Sequence, residues 1–212
     1  MRPLFISLDG PDGVGKSTQI ALLRDWLVAR GQDVLVCRDP GGTRLGEKIR
    51  HLLLHAEDVT ISRKCELLLY MASRAQMVEE IIVPALSAGR TVLSDRYLLA
   101  SVVYQGHAGG IPTADIWAVG RVATGGLMPD LTIVLDAPLE ITAARMQREH
   151  DRMERQGETF RARLRDGYLA EAAIRPENIF VVDAARAVAA VQADIQAAIE
   201  RVLTLPPRSL EG

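Results

Sequence analysis

Short, nearly continuous apolar segments alternate along the chain with longer segments in which apolar residues recur every three or four positions. The continuous segments predict buried strands, and the spaced ones predict amphipathic helices. The predicted strands are 4–8, 33–37, 91–94, 131–136 and 178–182. The predicted helices are 17–30, 44–55, 62–88, 97–106, 112–124, 138–149, 158–174 and 187–203. Apolar strands separated by helices indicate an α/β fold in three layers, with a five-stranded parallel sheet covered by helices on both faces.

Composition narrows the class of protein. The chain has 212 residues, a formal charge of -2 and 48% hydrophobic residues, which predicts one domain over 1–212. Near-neutral charge argues against nucleic acid as a partner, and no apolar run reaches the roughly 18 residues that span a membrane. The beginning of the chain does not have a signal-peptide layout, and Cys37 and Cys65 are expected to be buried thiols of a reducing compartment. We therefore expect a cytoplasmic protein.

Residues 10–17 read Gly-Pro-Asp-Gly-Val-Gly-Lys-Ser and fit the pattern G-x-x-x-x-G-K-[S/T] between a predicted strand and a predicted helix. The glycines let backbone amides surround phosphates, Lys16 reaches the β- and γ-phosphates, and the Ser17 hydroxyl binds Mg²⁺. The loop therefore predicts a nucleoside triphosphate site. Asp12 has two interpretations, because it either accepts a hydrogen bond from a hydroxyl of a second substrate or only favours the turn before Gly13.

Three further groups of residues suggest a second substrate. Asp95 follows the third predicted strand, where a carboxylate that organises Mg²⁺ belongs, and Arg96 beside it suits a phosphate, although the two could also form an ion pair. Tyr70 and Arg74 share a helix face, so they could stack on a base and reach its polar edge, although Tyr70 alone is more typical of a core. The remaining candidates have the spacing to line the same pocket, although Gln105 could equally lie on the surface: Ser101, Tyr104 and Gln105.

Other classes of activity lack their motifs. Downstream of the loop we do not find the N-K-x-D sequence of a switch GTPase, and G-x-S-x-G is absent. His51 and His55 are four residues apart without the glutamate of a metalloprotease. The segment 145–165 is rich in Arg and Glu and is either a solvated helix face, which composition favours, or a mobile arm that closes over an anion. The end of the chain, 204–212, is predicted to be a loose tail.

Taken together, the motifs resemble those of bacterial-type thymidylate kinases, which belong to the P-loop nucleoside monophosphate kinases. The resemblance covers roughly residues 3–203, and the matching segments are 9–18, 38–43, 73–76, 94–97, 104–106, 128–132 and 151–152. It implies a P-loop NTPase fold with a short lid at about 145–157, and transfer of the γ-phosphoryl group of ATP to dTMP with Mg²⁺. It also implies ATP and dTMP as partners and a homodimer built on helix faces.

The resemblance assigns roles residue by residue. The implied ATP site consists of Gly10, Pro11, Asp12, Gly13, Val14, Gly15, Lys16, Ser17, Thr18, Arg145 and Arg186. The implied dTMP site consists of Asp12, Arg38, Tyr70, Arg74, Arg96, Ser101, Tyr104 and Gln105. The implied Mg²⁺ ligands are Ser17, Asp95 and Asp9. The implied catalytic residues are Lys16, Arg96, Arg148, Arg152 and Asp12.

A difference within the family implies a role for the arginines of the lid. One branch has an arginine at the loop position that Gly13 occupies here, and the bacterial-type branch supplies that guanidinium from the lid. The resemblance therefore selects Arg148 and Arg152, and after them Arg155, and favours the mobile arm over the solvated helix face. Two activities stay open as alternatives: a kinase of another pyrimidine monophosphate such as dUMP, and a P-loop switch or ATPase without an acceptor.

Overall fold

The computed structural model describes residues 2–55, 59–145 and 157–204. Five parallel strands form one sheet in the order β2-β3-β1-β4-β5, which confirms the predicted sheet. The strands are β1 Phe5–Asp9, β2 Val34–Arg38, β3 Thr91–Asp95, β4 Leu131–Asp136 and β5 Ile179–Asp183. The helices are α1 Lys16–Val28, α2 Arg44–His55, α3 Arg63–Met77, α4 Val83–Ser87, α5 Leu98–Ser101, α6 Thr113–Thr124, α7 Leu139–Arg145, α8 Glu158–Ile174 and α9 Val188–Thr204. Two π-helical turns, Val78–Ile82 and Val102–Ala108, follow α3 and α5.

Strand β1 lies at the centre of the sheet and is buried along its whole length. Ile6 and Leu8 belong to a core cluster that includes residues of α1 and α9, whereas Phe5 belongs to one that includes residues of α3 and α6. Because successive side chains of a strand point to opposite faces, helices cover both faces of the sheet, as predicted. Four strands also end one residue later than predicted, so polar residues such as Asp9 and Asp95 end strands at the carboxyl edge.

The helical segments 62–88 and 97–106 are less regular than predicted. The first is interrupted by the π-helical turn Val78–Ile82, directly before α4 with Pro84 in its first turn. Proline lacks the N–H that an α-helix would bond to the carbonyl four residues back, so the wider turn accommodates it. The second segment widens into the π-helical turn Val102–Ala108, which carries Tyr104 and Gln105. Wider turns of this kind often occur at functional sites.

Several expectations of the sequence concern the chain's organisation. The single domain over 1–212 stays a prediction, and most of the expected lid, 146–156, and of the tail, 205–212, lies outside the described residues. Thr204 is not in the tail, because it ends α9. Both cysteines are free, but Cys65 is exposed because it lies on the outward face of α3, so only Cys37 is the buried thiol that we predicted. No helix within the described ranges is long and apolar enough to cross a membrane.

Candidate nucleotide-binding site

The loop between β1 and α1 takes a shape that its glycines permit. Gly10, Gly13 and Gly15 have φ of 129°, 81° and 95°, a region that favours glycine. A β-carbon on Gly10 would also lie 2.3 Å from the carbonyl oxygen of Leu135, so this position has no room for a side chain. The loop leads directly into the amino end of α1, where free backbone N–H groups favour anions.

Lys16, the first residue of α1, is buried against the loop. Its ammonium group donates to the carbonyl oxygens of Gly10 at 3.1 Å and Pro11 at 2.8 Å. It also lies 3.6 Å from a carboxylate oxygen of Asp12. Burial lowers the pKa of Lys16 to about 8, and the positive charge of Arg96 acts in the same direction. The loop therefore holds a desolvated cation where the sequence motif predicts phosphates.

Arg96 connects four parts of the fold. One terminal nitrogen donates to the Gly10 carbonyl at 2.9 Å and to the Tyr168 hydroxyl at 3.0 Å. The other donates to Asp12 at 2.7 Å and to the Tyr104 hydroxyl at 3.0 Å. The backbone φ of Arg96 is 68°, an uncommon conformation for a non-glycine residue that persists where its surroundings fix it. Arg96 thus pairs with the loop carboxylate, and the simpler alternative of an ion pair with Asp95 does not describe this contact.

Asp12 completes this network as a charged acceptor. Its second carboxylate oxygen accepts from the Tyr104 hydroxyl at 3.0 Å. Burial would raise the pKa of Asp12, but Arg96 and Lys16 outweigh it and hold the pKa well below its usual range. Two cations therefore flank this carboxylate and stabilise its charged form.

A cavity of about 250 Å³ opens beside this network. All eight residues that the family resemblance implied for dTMP line it: Asp12, Arg38, Tyr70, Arg74, Arg96, Ser101, Tyr104 and Gln105. They come from the loop, the end of β2, α3, the end of β3, α5 and the second π-helical turn. Tyr70 is half-buried at this cavity, so its alternative interpretation as a core residue does not hold. Gln105 is 3% exposed and is not a surface residue.

Arg74 is the most deeply buried cation of the cavity wall, with 1% of its surface exposed. Its Nε atom donates to Asp39 at 2.5 Å, and a terminal nitrogen donates to the Ser101 hydroxyl at 2.9 Å. Burial raises the pKa of Asp39, and the guanidinium of Arg74 opposes this. Buried charges are maintained in proteins when they are paired in this way. The pair fixes Arg74 before any ligand binds.

The segment after β2 is held by α2. Arg38 donates to Glu47 at 2.8 Å, and the backbone N–H of Gly42 donates to the other oxygen of this carboxylate at 2.8 Å. The Gly42 N–H is also the main reason why the pKa of Glu47 lies below its usual range. Arg50 donates to the Pro40 carbonyl at 2.9 Å and lines the cavity. These contacts place two guanidinium groups at the mouth of the cavity.

Three oxygen-bearing residues lie where a magnesium ion was predicted. Asp9 ends β1 with no exposed surface, and neither of its carboxylate oxygens has a hydrogen-bond partner among the described residues. One oxygen of Asp95 is equally unpartnered, and Ser17 lies exposed at the start of α1. Burial raises the pKa of Asp9 to about 7, even though Arg96 and Lys16 act against it.

These residues fit a cation that keeps other ligands. Within the described ranges no group of three or more His, Cys, Asp or Glu side chains could hold a metal ion by itself. Mg²⁺ commonly takes one or two carboxylates and fills its other positions with water and substrate phosphates. Buried, unpartnered carboxylates beside a phosphate-binding loop match that set of ligands.

The residues implied for adenine lie apart from the cavity. Arg145 ends α7 and donates to the Ala184 carbonyl at 2.9 Å. Arg186 follows in the same turn and donates to Asp194 and to the Asp183 carbonyl. Both arginines are exposed, and both contact or belong to the turn after β5, Arg145 through its hydrogen bond to Ala184 and Arg186 as a residue of the turn. Arg148, Arg152 and Arg155 lie outside the described residues.

Sequence reasoning missed several residues of the site. Tyr168 reaches Arg96 from α8, Arg50 and His55 line the cavity from α2, and Glu66 on α3 accepts from Gln105. Arg50 follows the Arg38–Thr43 segment on the next helix, so its charge near a predicted site was a usable signal. Tyr168 had none, since nothing in its local sequence indicates a partner 72 residues away.

Comparison with known proteins identifies relatives over almost the whole chain. A family model described as thymidylate kinase matches residues 8–195. The thymidylate kinase of Caldanaerobacter subterraneus subsp. tengcongensis is 44% identical over 204 residues, which cover 96% of this chain and 98% of the relative. That of Neisseria gonorrhoeae is 44% identical over 205 residues, covering 96% and 97%. The crystal structure of thymidylate kinase from Ehrlichia chaffeensis is similar with a TM-score of 0.76, 27% identity, and coverage of 94% and 99%.

Proposed function

Since the chain belongs to the thymidylate kinase family, we infer that it phosphorylates dTMP to dTDP, and we propose how its residues do so. The observation that carries the proposal is the cavity beside the phosphate loop. Its wall combines guanidinium groups for a phosphate with an aromatic ring and amide and hydroxyl groups for a base. ATP is the proposed phosphoryl donor.

On the acceptor side, Arg96 and Arg38 bind the 5′-phosphate of dTMP, because a guanidinium group matches phosphate with a fork of donors. Asp12 accepts a hydrogen bond from the 3′-hydroxyl group of the sugar. Tyr104, whose hydroxyl already bonds Asp12, packs against the deoxyribose and disfavours a 2′-hydroxyl. At the far end, Tyr70 stacks on thymine. The polar edge of the base meets Arg74, Ser101 and Gln105.

On the donor side, the backbone of the loop holds the phosphates of ATP. The residues are Gly10, Pro11, Asp12, Gly13, Val14, Gly15, Lys16, Ser17 and Thr18. Amides of the loop and of the α1 amino end point at phosphates in such sites, and Lys16 reaches the β- and γ-phosphates. Arg145 and Arg186 lie against adenine, a role supported by the hydrogen bonds that both make to carbonyl oxygens at the end of β5 and in the turn after it.

Asp9, Asp95 and Ser17 would hold Mg²⁺ together with the phosphates of ATP. The ion supplies positive charge that offsets the charge of the phosphate oxygens. The chain's own cations act in the same way: Lys16 from the loop and Arg96 from the acceptor side, with Arg148 and Arg152 of the lid, and after them Arg155, as the further proposed source.

Positioning and charge compensation suffice for this reaction. The attacking atom is an oxygen of the dTMP phosphate, which is largely ionised at neutral pH and needs no general base. No covalent enzyme intermediate is required. Arg96 can hold the acceptor phosphate while Lys16 holds the donor phosphates, because both side chains donate to the carbonyl oxygen of Gly10 and therefore lie next to each other. Holding two anions in line is therefore the main catalytic contribution that we propose.

The chain is further proposed to form a homodimer in the cytoplasm. Exposed apolar side chains on packed helices support the dimer, since α2 carries Leu45 and Leu52 and α3 carries Leu68. Neither nucleic acid nor a membrane is proposed as a partner, in keeping with the near-neutral charge. Light scattering during gel filtration tests the assembly, and a monomer at micromolar concentration would contradict it.

A panel of acceptors tests the activity. ADP formation from ATP and Mg²⁺ is measured with dTMP, dUMP, dCMP, UMP and GMP, and we expect the highest kcat/KM with dTMP. Preferred phosphorylation of another monophosphate would instead assign that nucleotide as the substrate. Calorimetric titration with dTMP in the absence of ATP tests the remaining alternative, a P-loop switch or ATPase without an acceptor. Such a protein would not bind dTMP.

A further inference from the structure

A buried hydrogen bond joins α3 to the second π-helical turn at the wall of the cavity. The side-chain nitrogen of Gln105 donates to Glu66 at 3.0 Å. Glu66 is 8% exposed and Gln105 is 3% exposed, so both side chains are shielded from water. None of the roles proposed above uses Glu66. A glutamate this deeply buried beside a binding cavity calls for a physical explanation.

The contact determines which way the Gln105 amide faces. An ionised carboxylate accepts hydrogen bonds but cannot donate them, so the amide nitrogen has to face Glu66. The reversed amide would bring two oxygens to hydrogen-bond distance, where they repel. The amide oxygen of Gln105 is consequently the atom that Glu66 does not bind. It is buried, it has no hydrogen-bond partner among the described residues, and its residue lines the cavity.

A buried acceptor without a donor is costly until a ligand supplies one. In a pyrimidine base the group at position 3 differs between substrates: thymine and uracil carry an N–H donor there, whereas cytosine carries a bare nitrogen that only accepts. A fixed amide oxygen therefore stabilises bound thymine or uracil. The same oxygen repels cytosine and is left unsatisfied by it.

We propose that Glu66 is a positioning residue that locks the Gln105 amide with its oxygen toward the base, and so makes the cavity select pyrimidines with an N3–H donor. This inference rests on the proposed function, because it takes the base to lie beside Gln105. It assigns selection against cytosine to a residue that does not contact the base. Glu66 acts only through the orientation of its neighbour.

The test measures kcat/KM for dTMP and for dCMP in Glu66→Gln. A glutamine at position 66 can either accept or donate, so the Gln105 amide is free to turn its nitrogen toward the cavity. We expect the preference for dTMP over dCMP to fall about tenfold or more, mainly through KM, since an unsatisfied buried polar group is worth about that factor or more. Thermal unfolding of each variant is recorded in parallel.

Glu80→Gln is the matched control. Glu80 accepts a hydrogen bond from the amide of Gln76 on the exposed surface, so the same kind of pair is altered away from the cavity. The Glu80→Gln variant should prefer dTMP over dCMP as strongly as the wild type does. The double variant Glu66→Gln, Gln105→Glu reverses the pair. Its glutamine donates and its carboxylate presents an acceptor to the cavity, so the preference should return.

The outcomes separate the inference from the proposed function. A wild-type chain that does not phosphorylate dTMP contradicts the proposed function. If the wild type does phosphorylate dTMP and Glu66→Gln lowers kcat/KM equally for both nucleotides, Glu66 is merely structural and the inference is wrong. Should Glu66→Gln not fold, the double variant decides, because a folded double variant without the preference also contradicts the inference.

Discussion

Charged side chains are accessible to water at one edge of the sheet and shielded from it at the other. At the amino edge, Arg90 before β3 pairs with Asp33 before β2 at 3.0 Å, and the Asp33 side chain is 68% exposed. At the carboxyl edge, Asp39 follows β2 and pairs with the buried Arg74 of α3, and Arg96 follows β3 with only 15% of its side chain exposed. The same residue types thus flank the same two strands, in water at one edge and shielded from it at the other.

The difference shows where the fold has placed costly interactions. Exposed ion pairs contribute little to stability, whereas a buried charge requires a partner and further hydrogen bonds to be maintained. Arg96 and Arg74 have these partners before any substrate is present. A substrate that binds at the carboxyl edge meets guanidinium groups whose positions are already fixed, which reduces the ordering required on binding.

The largest effect is expected for Arg96→Met. Methionine keeps an unbranched apolar stem at this position but removes the guanidinium group that we propose for the acceptor phosphate. We expect kcat/KM for dTMP to fall about 10³-fold, within the range for loss of a placed donor at a reacting group. Steady-state kinetics with ATP and dTMP measures the loss, and circular dichroism verifies that the variant is folded.

Arg90→Met is the corresponding change at the amino edge of the same strand. It removes a half-buried guanidinium group whose partner Asp33 is exposed. Turnover of this variant should stay within about twofold of the wild type, as expected for a water-accessible ion pair worth less than about 1 kcal/mol. Equal losses in the two variants would mean that the position of an arginine at the carboxyl edge has no special importance for the reaction.

The next largest effect concerns stability and is expected for Asp39→Asn. The substitution keeps the size of the side chain but leaves the buried charge of Arg74 without its counter-ion. Removal of one partner of a buried pair costs about 3–5 kcal/mol. Urea unfolding at neutral pH should therefore show a lower free energy of unfolding by about that amount, together with weaker dTMP binding.

Asp33→Asn is the control at the other end of β2. Its partner Arg90 is accessible to water, so the free energy of unfolding should change by less than about 1 kcal/mol. Unfolding of both asparagine variants at the same urea concentration would contradict the predicted difference between the two ion pairs. In that case burial of the Asp39 pair would not contribute to stability in the way that its contacts indicate.

Most of the sheet could be predicted because its signal is local. Each buried strand is a short apolar run, and a run is visible without knowledge of its neighbours. The strand ends were less visible, because residues such as Asp9 and Asp95 are polar and belong to the strands only through hydrogen bonds with other strands. The π-helical turn Val102–Ala108 had no signal, since its residues suit an ordinary helix equally well.

The candidate site also has a part with a local sequence signal and a part that depends on contacts between residues far apart in the chain. The phosphate loop was predictable from eight consecutive residues, and its glycines adopt the backbone conformations that motivated the prediction. The network around Arg96 was not, because its partners Asp12 and Tyr168 lie 84 and 72 residues away in the chain. The resemblance to a family brought Arg96 and Asp12 together in advance, but it did not include Tyr168. The resemblance did not indicate Glu66 either, because this residue contacts another side chain rather than the proposed substrate.

The smallest effect is expected for Arg186→Ala, which separates location at the carboxyl edge from burial. Arg186 lies at this edge after β5, but its side chain is 41% exposed and pairs with the exposed Asp183. If burial gives the carboxyl edge its importance, loss of this arginine should raise KM for ATP only about threefold, with kcat and KM for dTMP unchanged. Arg24→Ala, which removes an exposed arginine of α1, should leave all three constants unchanged. A loss for Arg186→Ala as large as that for Arg96→Met would show that location at the edge matters and that shielding from water does not.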